Sequence, residues 1–215
     1  TVDRDTYAIH GSIANGLISG DLTYTSRAEP WFSKDRGWVG IMPWERMSWL
    51  VYMPAASVSG TLEIDGRSYA FDGINGYHDH NWGEWVPINV MWNWFQFSES
   101  EFSLEVGDFM LHPAGVLSVE FQGERTDFLK LHYQVLHTRW QFDWEQFKLV
   151  PKKTWLLADN GDKRLMVAVE TIQTEGLRMS LPVPLAPDVI IYEQTAGYSG
   201  GYWSKNADDG WDLEW

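Results

Sequence analysis

The chain has 215 residues, of which 44% are hydrophobic and 21% are charged, so its composition is that of a globular protein and not of a disordered one. Its 16 Lys and Arg against 30 Asp and Glu give a formal net charge of −14, which disfavours binding to nucleic acid or to an anionic membrane surface. The sequence contains no Cys, so disulfides, thiolate metal sites and a Cys nucleophile are excluded. No apolar run approaches the ~18–20 residues that span a bilayer, so no integral membrane segment is expected.

Apolar and polar residues alternate with a period of two along most of the chain, and helical periodicity is almost absent. The clearest hairpin spans Ser57–Asp72, where Asp65-Gly66 supplies the turn. The other strand-like runs, in chain order, are Tyr7–Ile13, Gly20–Ser26, Gly37–Met42, Ser48–Met53, Asn89–Phe97, Phe102–Leu111, Gly115–Gln122, Asp127–His137, Trp140–Glu145, Lys153–Ala158, Arg164–Ile172 and Val189–Ala196. Many short strands separated by turn residues predict an all-β protein with an antiparallel barrel or sandwich.

The composition shifts near Gly83–Pro87, directly after the densest polar segment of the chain. We therefore predict two β domains, residues 1–85 and residues 86–215, with their junction at this point.

That polar segment, Gly76–Gly83, reads GYHDHNWG. An extended chain would alternate its side chains between two faces: His78, His80 and Trp82 on one, and Tyr77, Asp79 and Asn81 on the other. Three interpretations are open. The His-x-His spacing is common among metal ligands, although a third ligand would have to come from elsewhere. The segment could also be a hydrogen-bonded structural plug, or one wall of an active site in which a His acts as acid, base or orienting group.

Asp108 is a second candidate, because alternation places it on the same strand face as Phe102, Leu104, Val106 and Met110. A carboxyl group desolvated by apolar neighbours has a raised pKa, stays protonated near neutrality and is suited to protonating an alkene or an enol oxygen. Alternatively, Asp108 bonds an Arg or a backbone group, or a bulge turns it to solvent.

Trp92, Trp94 and Gln96 share one face of a further strand. Indole faces stabilise cations and form broad apolar walls for an isoprenoid or a polyketide, whereas in most β proteins such residues are core. We predict that Trp82, Trp92 and Trp94 line a pocket. His137 has no pattern around it, so we expect a surface or packing role.

The segment GYHDHNWG resembles a signature of the lipocalin-like superfamily that contains carotenoid 1,2-hydratases (hydroxyneurosporene synthases), kievitone hydratases, fungal Diels–Alderases and AttH-like proteins with two barrels. Its flanks are similar as well. The flanking matches are Gly60-Thr61-Leu62 with Asp65-Gly66, Trp92-Asn93-Trp94, and Tyr192-Glu193-Gln194-Thr195 followed by Gly197.

This resemblance implies two consecutive lipocalin-like (calycin) β-barrels, with the signature at their junction and a ligand pocket nearby. It also implies catalytic roles for His80, Trp82 and Asp108. The family pattern has a Tyr close to that acid, where this chain has Val106 and Gly107.

The resemblance further implies that the first barrel is partial and the second complete, because only 75 residues precede Gly76. A half-barrel exposes strand edges. We therefore expect a segment missing from the same precursor, a shortened domain, or a second chain that completes the first barrel.

Together these features predict an enzyme of secondary metabolism that binds a large hydrophobic, unsaturated small molecule and hydrates or cyclises its carbon–carbon double bonds, including by Diels–Alder chemistry. Asp108 or His80 would be the acid, and Trp82, Trp92 and Trp94 would surround the developing positive charge. Tyr77, His78, Asn81 and Gln96 would contact or orient the substrate. Neither reaction requires a cofactor. The alternative is a non-catalytic lipid or isoprenoid carrier, since fold alone does not define function.

Overall fold

The computed structural model describes residues 5–32, 37–38, 46–84, 91–110, 115–180 and 188–215. Within these residues the chain is built from antiparallel strands, with a single 3₁₀ turn at Ala14–Gly16. The predicted all-β, antiparallel class is confirmed. No helix in the described ranges is long and apolar enough to cross a membrane.

Sheet A contains all the described strands that precede residue 85. They are β1 (Thr6–Ile13), β2 (Ile18–Ser26), β3 (Trp31–Phe32), β4 (Gly37–Trp38), β5 (Arg46–Ile64) and β6 (Arg67–Glu84). The long strand β5 is central: it pairs with β6 along its length, with β2 over its second half, and with the short strands β3 and β4 near its start.

Sheets B and C follow residue 91. Sheet B has the order β10-β9-β8-β7, and sheet C has the order β11-β12-β13-β14-β15. Their strands are β7 (Trp92–Ser98), β8 (Phe102–Phe109), β9 (Gly115–Phe121), β10 (Glu124–Leu129), β11 (Tyr133–Asp143), β12 (Lys148–Asp159), β13 (Lys163–Met179), β14 (Val189–Lys205) and β15 (Trp211–Leu213).

The predicted hairpin is confirmed. Ile64 pairs with Arg67, and Asp65 and Gly66 both have positive φ, as a two-residue type I′ turn requires. One predicted strand is wrong: Asp127–His137 is two strands, because the chain turns between Leu129 and Tyr133. The run Gly37–Met42 lies only partly within the described residues, where Gly37–Trp38 forms β4.

Sheet B lies between the other two sheets. Its side facing sheet C supplies Phe102, Leu104 and Val106 to the main hydrophobic core, which continues into Leu156 and Val167 of sheet C. Its other side faces sheet A, where the Trp49 ring lies against Gly107. Strand β8 is therefore buried on both faces, and this arrangement positions the candidate site.

No sheet closes into a barrel in the part of the chain that the structure describes, so the predicted barrels and the two-domain division stay predictions.

Candidate functional site

The motif Gly76–Gly83 is extended within β6, and its side chains alternate as predicted. Leu50 pairs with His80 and Trp49 with Asn81, so adjacent motif residues face opposite sides of sheet A. The motif therefore contributes to two separate surfaces.

The first surface is the face of sheet A that points away from sheet B. Here the His78 ring stacks on Tyr7 at a centroid distance of 4.5 Å and contacts the edge of Tyr52, while His80 stacks on Trp82 at 5.4 Å. Burial lowers the pKa of His78, so its imidazole is neutral at physiological pH. His80 and Trp82 are exposed.

No group of three or more His, Cys, Asp or Glu side chains in the described ranges is arranged to hold a metal ion. The His-x-His pair therefore gains no third ligand from those residues.

The second surface is the A–B interface, where Trp49 and Tyr77 of sheet A meet Trp94, Glu105 and Gly107 of sheet B. The Tyr77 and Trp94 rings lie 5.6 Å apart. A further hydrogen bond links the sheets, from the Asn75 amide to the Ser98 carbonyl at 2.8 Å. Gln96 is half-buried on the same face of β7, directly across from Glu105. Trp92 is half-buried at the start of that strand.

Asp79, which was not among the predicted site residues, organises the sheet A side of this interface. Its Oδ2 atom accepts hydrogen bonds from Trp49 Nε1 at 2.7 Å, the Tyr77 hydroxyl at 3.1 Å and Asn81 Nδ2 at 3.4 Å. Burial and the Asp79 charge raise the pKa of Tyr77, so the phenol stays protonated.

Asp108 lies on the opposite side of β8, facing sheet C, and is 4% exposed. It forms an ion pair with Lys130 and accepts hydrogen bonds from the Tyr133 hydroxyl at 3.0 Å and from Asn93 Nδ2 at 3.2 Å. We call Asp108, Asn93, Lys130 and Tyr133 the Asp108 cluster. Burial and the Asp108 charge raise the pKa of Tyr133.

The Asp108 cluster continues through His137, which the sequence did not single out. The His137 Nε2 atom lies 3.1 Å from Asn93 Oδ1, and its Nδ1 atom lies 2.8 Å from Thr154 Oγ1. Burial lowers the pKa of this His, so its ring is neutral and one nitrogen donates while the other accepts.

The predicted site residues therefore lie in three places. Tyr77, Asn81, Trp94 and Gln96 lie at or beside the A–B interface, His78, His80 and Trp82 lie on the outer face of sheet A, and Asp108 lies between sheets B and C. The predicted acid Asp108 and the predicted His80–Trp82 pair are not brought together.

Two clefts are found away from these residues. One of about 370 Å³ is lined by polar residues of β1, β2, β5 and β6, including the His10–Asp21 pair. The other, of about 210 Å³, lies between β13 and β14. Neither contains a predicted site residue, so the predicted pocket stays a prediction.

The architecture is shared with two solved structures. The chain superposes on kievitone hydratase from Nectria haematococca with a TM-score of 0.56 at 13% sequence identity, covering 90% of this chain and 63% of that one. It superposes on an AttH-like protein of Nitrosomonas europaea with a TM-score of 0.59 at 11% identity, covering 91% and 66%. The fold is thus the lipocalin-like hydratase and AttH fold, which confirms the predicted resemblance at the level of fold.

In sequence, the chain is 24% identical over 152 residues to the Oryza sativa subsp. japonica protein named "Probable tocopherol cyclase, chloroplastic". The match covers 68% of this chain and 31% of that protein. The chain thus spans about a third of the rice protein's length and under two thirds of the hydratase. No protein-family model matches the sequence.

Proposed function

We propose that this protein is a hydratase- or cyclase-type enzyme that acts on a large apolar small molecule with carbon–carbon double bonds. Hydration adds water across the double bond, and cyclisation joins it to another group of the same molecule. The fold shared with a hydratase and the sequence similarity to a cyclase support this class of reaction. A Diels–Alder cyclisation, which depends on holding a folded substrate and not on proton transfer, belongs to the same proposal.

The Asp108 cluster carries the proposal. A carboxyl group that is 4% exposed and held by side chains from β7, β11 and the turn between β10 and β11 is pre-organised for proton transfer.

Asp108 is paired with the Lys130 ammonium group and accepts two further hydrogen bonds, so its oxygens are already engaged by donors. We therefore propose that Asp108 is the base, which takes a proton from the attacking water or from a substrate hydroxyl, instead of the acid expected from its apolar strand face. Lys130 and Tyr133 hold it in place. His80 and Trp82 stay proposed substrate contacts on the outer face of sheet A.

The test is a panel of isoprenoid and polyketide alkenes incubated with the protein in D₂O and analysed by mass spectrometry. A product heavier by one water marks hydration, and an unchanged formula with one deuterium on carbon marks proton-initiated cyclisation. An isomer without carbon-bound deuterium marks a Diels–Alder reaction. Ligand binding without any product would contradict the enzyme and favour a carrier.

Asp108→Asn tests the assigned base. We expect turnover by hydration or by proton-initiated cyclisation to fall by about 100-fold or more, because general acid–base catalysis contributes factors of that size. Asp143→Asn is the matched control, since Asp143 also accepts a hydrogen bond from a Tyr hydroxyl, that of Tyr192 at 3.0 Å, and lies at the opposite end of β11 from Tyr133. Equal turnover by wild type and Asp108→Asn would exclude Asp108 as the base.

A further inference from the structure

Glu105 is a buried carboxyl group at the A–B interface whose hydrogen bonds are not all made. It is 3% exposed, and its Oε1 atom is buried without a hydrogen-bond partner. On sheet B it is flanked by Gln96 of β7 and Ser118 of β9. An ionised carboxylate left this way would carry a large desolvation cost, whereas a neutral carboxylic acid would not.

The charged and titratable groups around Glu105 come from three strands. Tyr77 faces it from β6, Glu120 from β9, and Arg125 and Asp127 from β10. Arg125 opposes the rise in the pKa of Glu105, but it is paired with Asp127 through its Nε atom at 2.8 Å, and the Asp127 charge acts in the other direction. Burial and the nearby Glu120 raise the pKa of Glu105 to about 8.

Glu120 offers an instructive contrast, because it is also buried, at 7% exposed, on the neighbouring strand. Burial raises the pKa of Glu120 as well, and a hydrogen bond from the Glu29 backbone N–H opposes that rise. Asp108 has its ion pair with Lys130. Of these three carboxyl groups, Glu105 is the one with a buried oxygen atom that has no hydrogen-bond partner.

We propose that Glu105 is the proton donor of the reaction and that the substrate double bond reaches it on the A–B side of β8, beside Trp94, which is 43% exposed. This inference rests on the proposed class of reaction and places the proton transfer on the side of β8 that Asp108 does not face. The surroundings suit a developing cation. Trp94 and Trp49 present indole rings, and the Asp79 carboxylate, held by Trp49 and Tyr77, supplies a fixed negative charge.

The step balances without a further reactant. The double-bond electron pair takes the Glu105 proton, so an O–H bond breaks, a C–H bond forms and positive charge develops on the adjacent carbon. Water or a nucleophilic group of the same substrate then bonds to that carbon. The nucleophile loses a proton as it bonds, and this proton passes to the Glu105 carboxylate and restores the acid.

The first test needs no substrate. Infrared spectroscopy of the wild type should show a carboxylic acid C=O band that disappears as the pH is raised through about 8. Glu105→Gln should lack this band, and Glu120→Gln should keep it but lose it at a lower pH, because the Glu120 charge contributes to the raised pKa of Glu105. Absence of the band from wild type, or its persistence in Glu105→Gln, overturns the assignment whatever the substrate panel shows.

The second test measures turnover on whichever alkene the wild type converts. We expect Glu105→Gln to lower turnover by about 100-fold or more while substrate binding is retained, and Glu105→Asp to keep part of the activity. The control Glu170→Gln, at an exposed carboxylate on β13 of sheet C, should stay near wild type. If Asp108→Asn loses turnover while Glu105→Gln keeps full turnover, this inference is wrong and the proposed function still stands. If the wild type binds ligand but forms no product, the proposed function itself is wrong.

Discussion

Glu105 and Asp108 are two buried carboxyl groups on one strand with opposite surroundings. Glu105 faces the A–B interface and has an oxygen without a partner, while Asp108 faces sheet C and has three side-chain donors. Because side chains alternate across a strand, residues three apart point to opposite faces. The two carboxyl groups therefore belong to different surfaces, and Glu105→Gln and Asp108→Asn test them separately.

The buried Glu105 predicts a specific pH dependence of stability. Its pKa rises from an ordinary 4.5 to about 8 on folding, so the unfolded chain loses this proton at lower pH than the folded one. The contribution to the free energy of unfolding is therefore greatest below about pH 4.5, declines as the pH rises to about 8, and is constant above that value.

Glu105→Gln should remove this decline and stabilise the protein at and above neutral pH, by a few kcal/mol at most, since each pKa unit corresponds to about 1.4 kcal/mol. Urea unfolding of both proteins across this pH range measures the difference. Parallel stability curves for the two proteins would show that Glu105 does not titrate abnormally.

At the scale of strands, the contact between β5 and β8 depends on one glycine. A Cβ atom at Gly107 would lie 2.6 Å from Cζ3 of the Trp49 ring, closer than such atoms approach. Trp49 is itself held by its hydrogen bond to Asp79. Even the smallest side chain at this position must therefore displace the ring or separate the sheets.

We expect Gly107→Ala to destabilise the fold by about 1–3 kcal/mol, the usual cost of overpacking, and to change the tryptophan fluorescence. Gly11→Ala is the control, because a Cβ at Gly11 meets no atom within 4 Å. Thermal unfolding measures both. A Gly107→Ala protein as stable as the Gly11→Ala protein would show that the two sheets are not held at this distance.

Some of these elements were predictable and some were not. Alternation correctly placed the faces of β6, and Asp65-Gly66 marked its turn, because both signals are local. The turn at Lys130–His132 was missed, since it contains neither Gly nor Pro. The burial of Glu105 was missed because alternation of polar and apolar residues normally predicts a strand with one solvent-exposed face. Strand β8 has no solvent-exposed face.

At the scale of the molecule, the outer face of sheet A carries apolar side chains that the described residues leave exposed. Ile9 and Ile13 of β1 are 44% and 66% exposed, and Ile74 and Trp82 of β6 lie on the same side. This surface is where the resemblance predicted a partial barrel. We propose that a second copy of this chain packs against it.

The chain should then self-associate through this face. We expect the double substitution Ile9→Thr and Ile13→Thr to lower the concentration-dependent association seen by analytical ultracentrifugation. Ile172→Thr is the control, since Ile172 is 73% exposed on β13 of sheet C. Unchanged association in the double variant, or equal loss in the control, would contradict the proposed contact.

The site as a whole could not be derived from the sequence, because its parts come together over long distances in the chain. Lys130 and Tyr133 reach Asp108 from more than 20 residues away, and Trp49 reaches Asp79 from 30 residues away. The family pattern expects a Tyr near the acid in sequence, whereas Tyr133 supplies a phenol to Asp108 from another strand. The spacing of residues along the sequence does not predict a contact between two strands that are distant in the chain.

Because β8 has no solvent-facing side, its peptide groups are shielded from water by the sheets packed on both faces as well as by the strands beside it. Its amide hydrogens should therefore exchange with deuterium only when the whole molecule unfolds, which makes this strand the natural reporter of global opening. A shift of its backbone by a ligand on one side would be transmitted to the carboxyl group on the other.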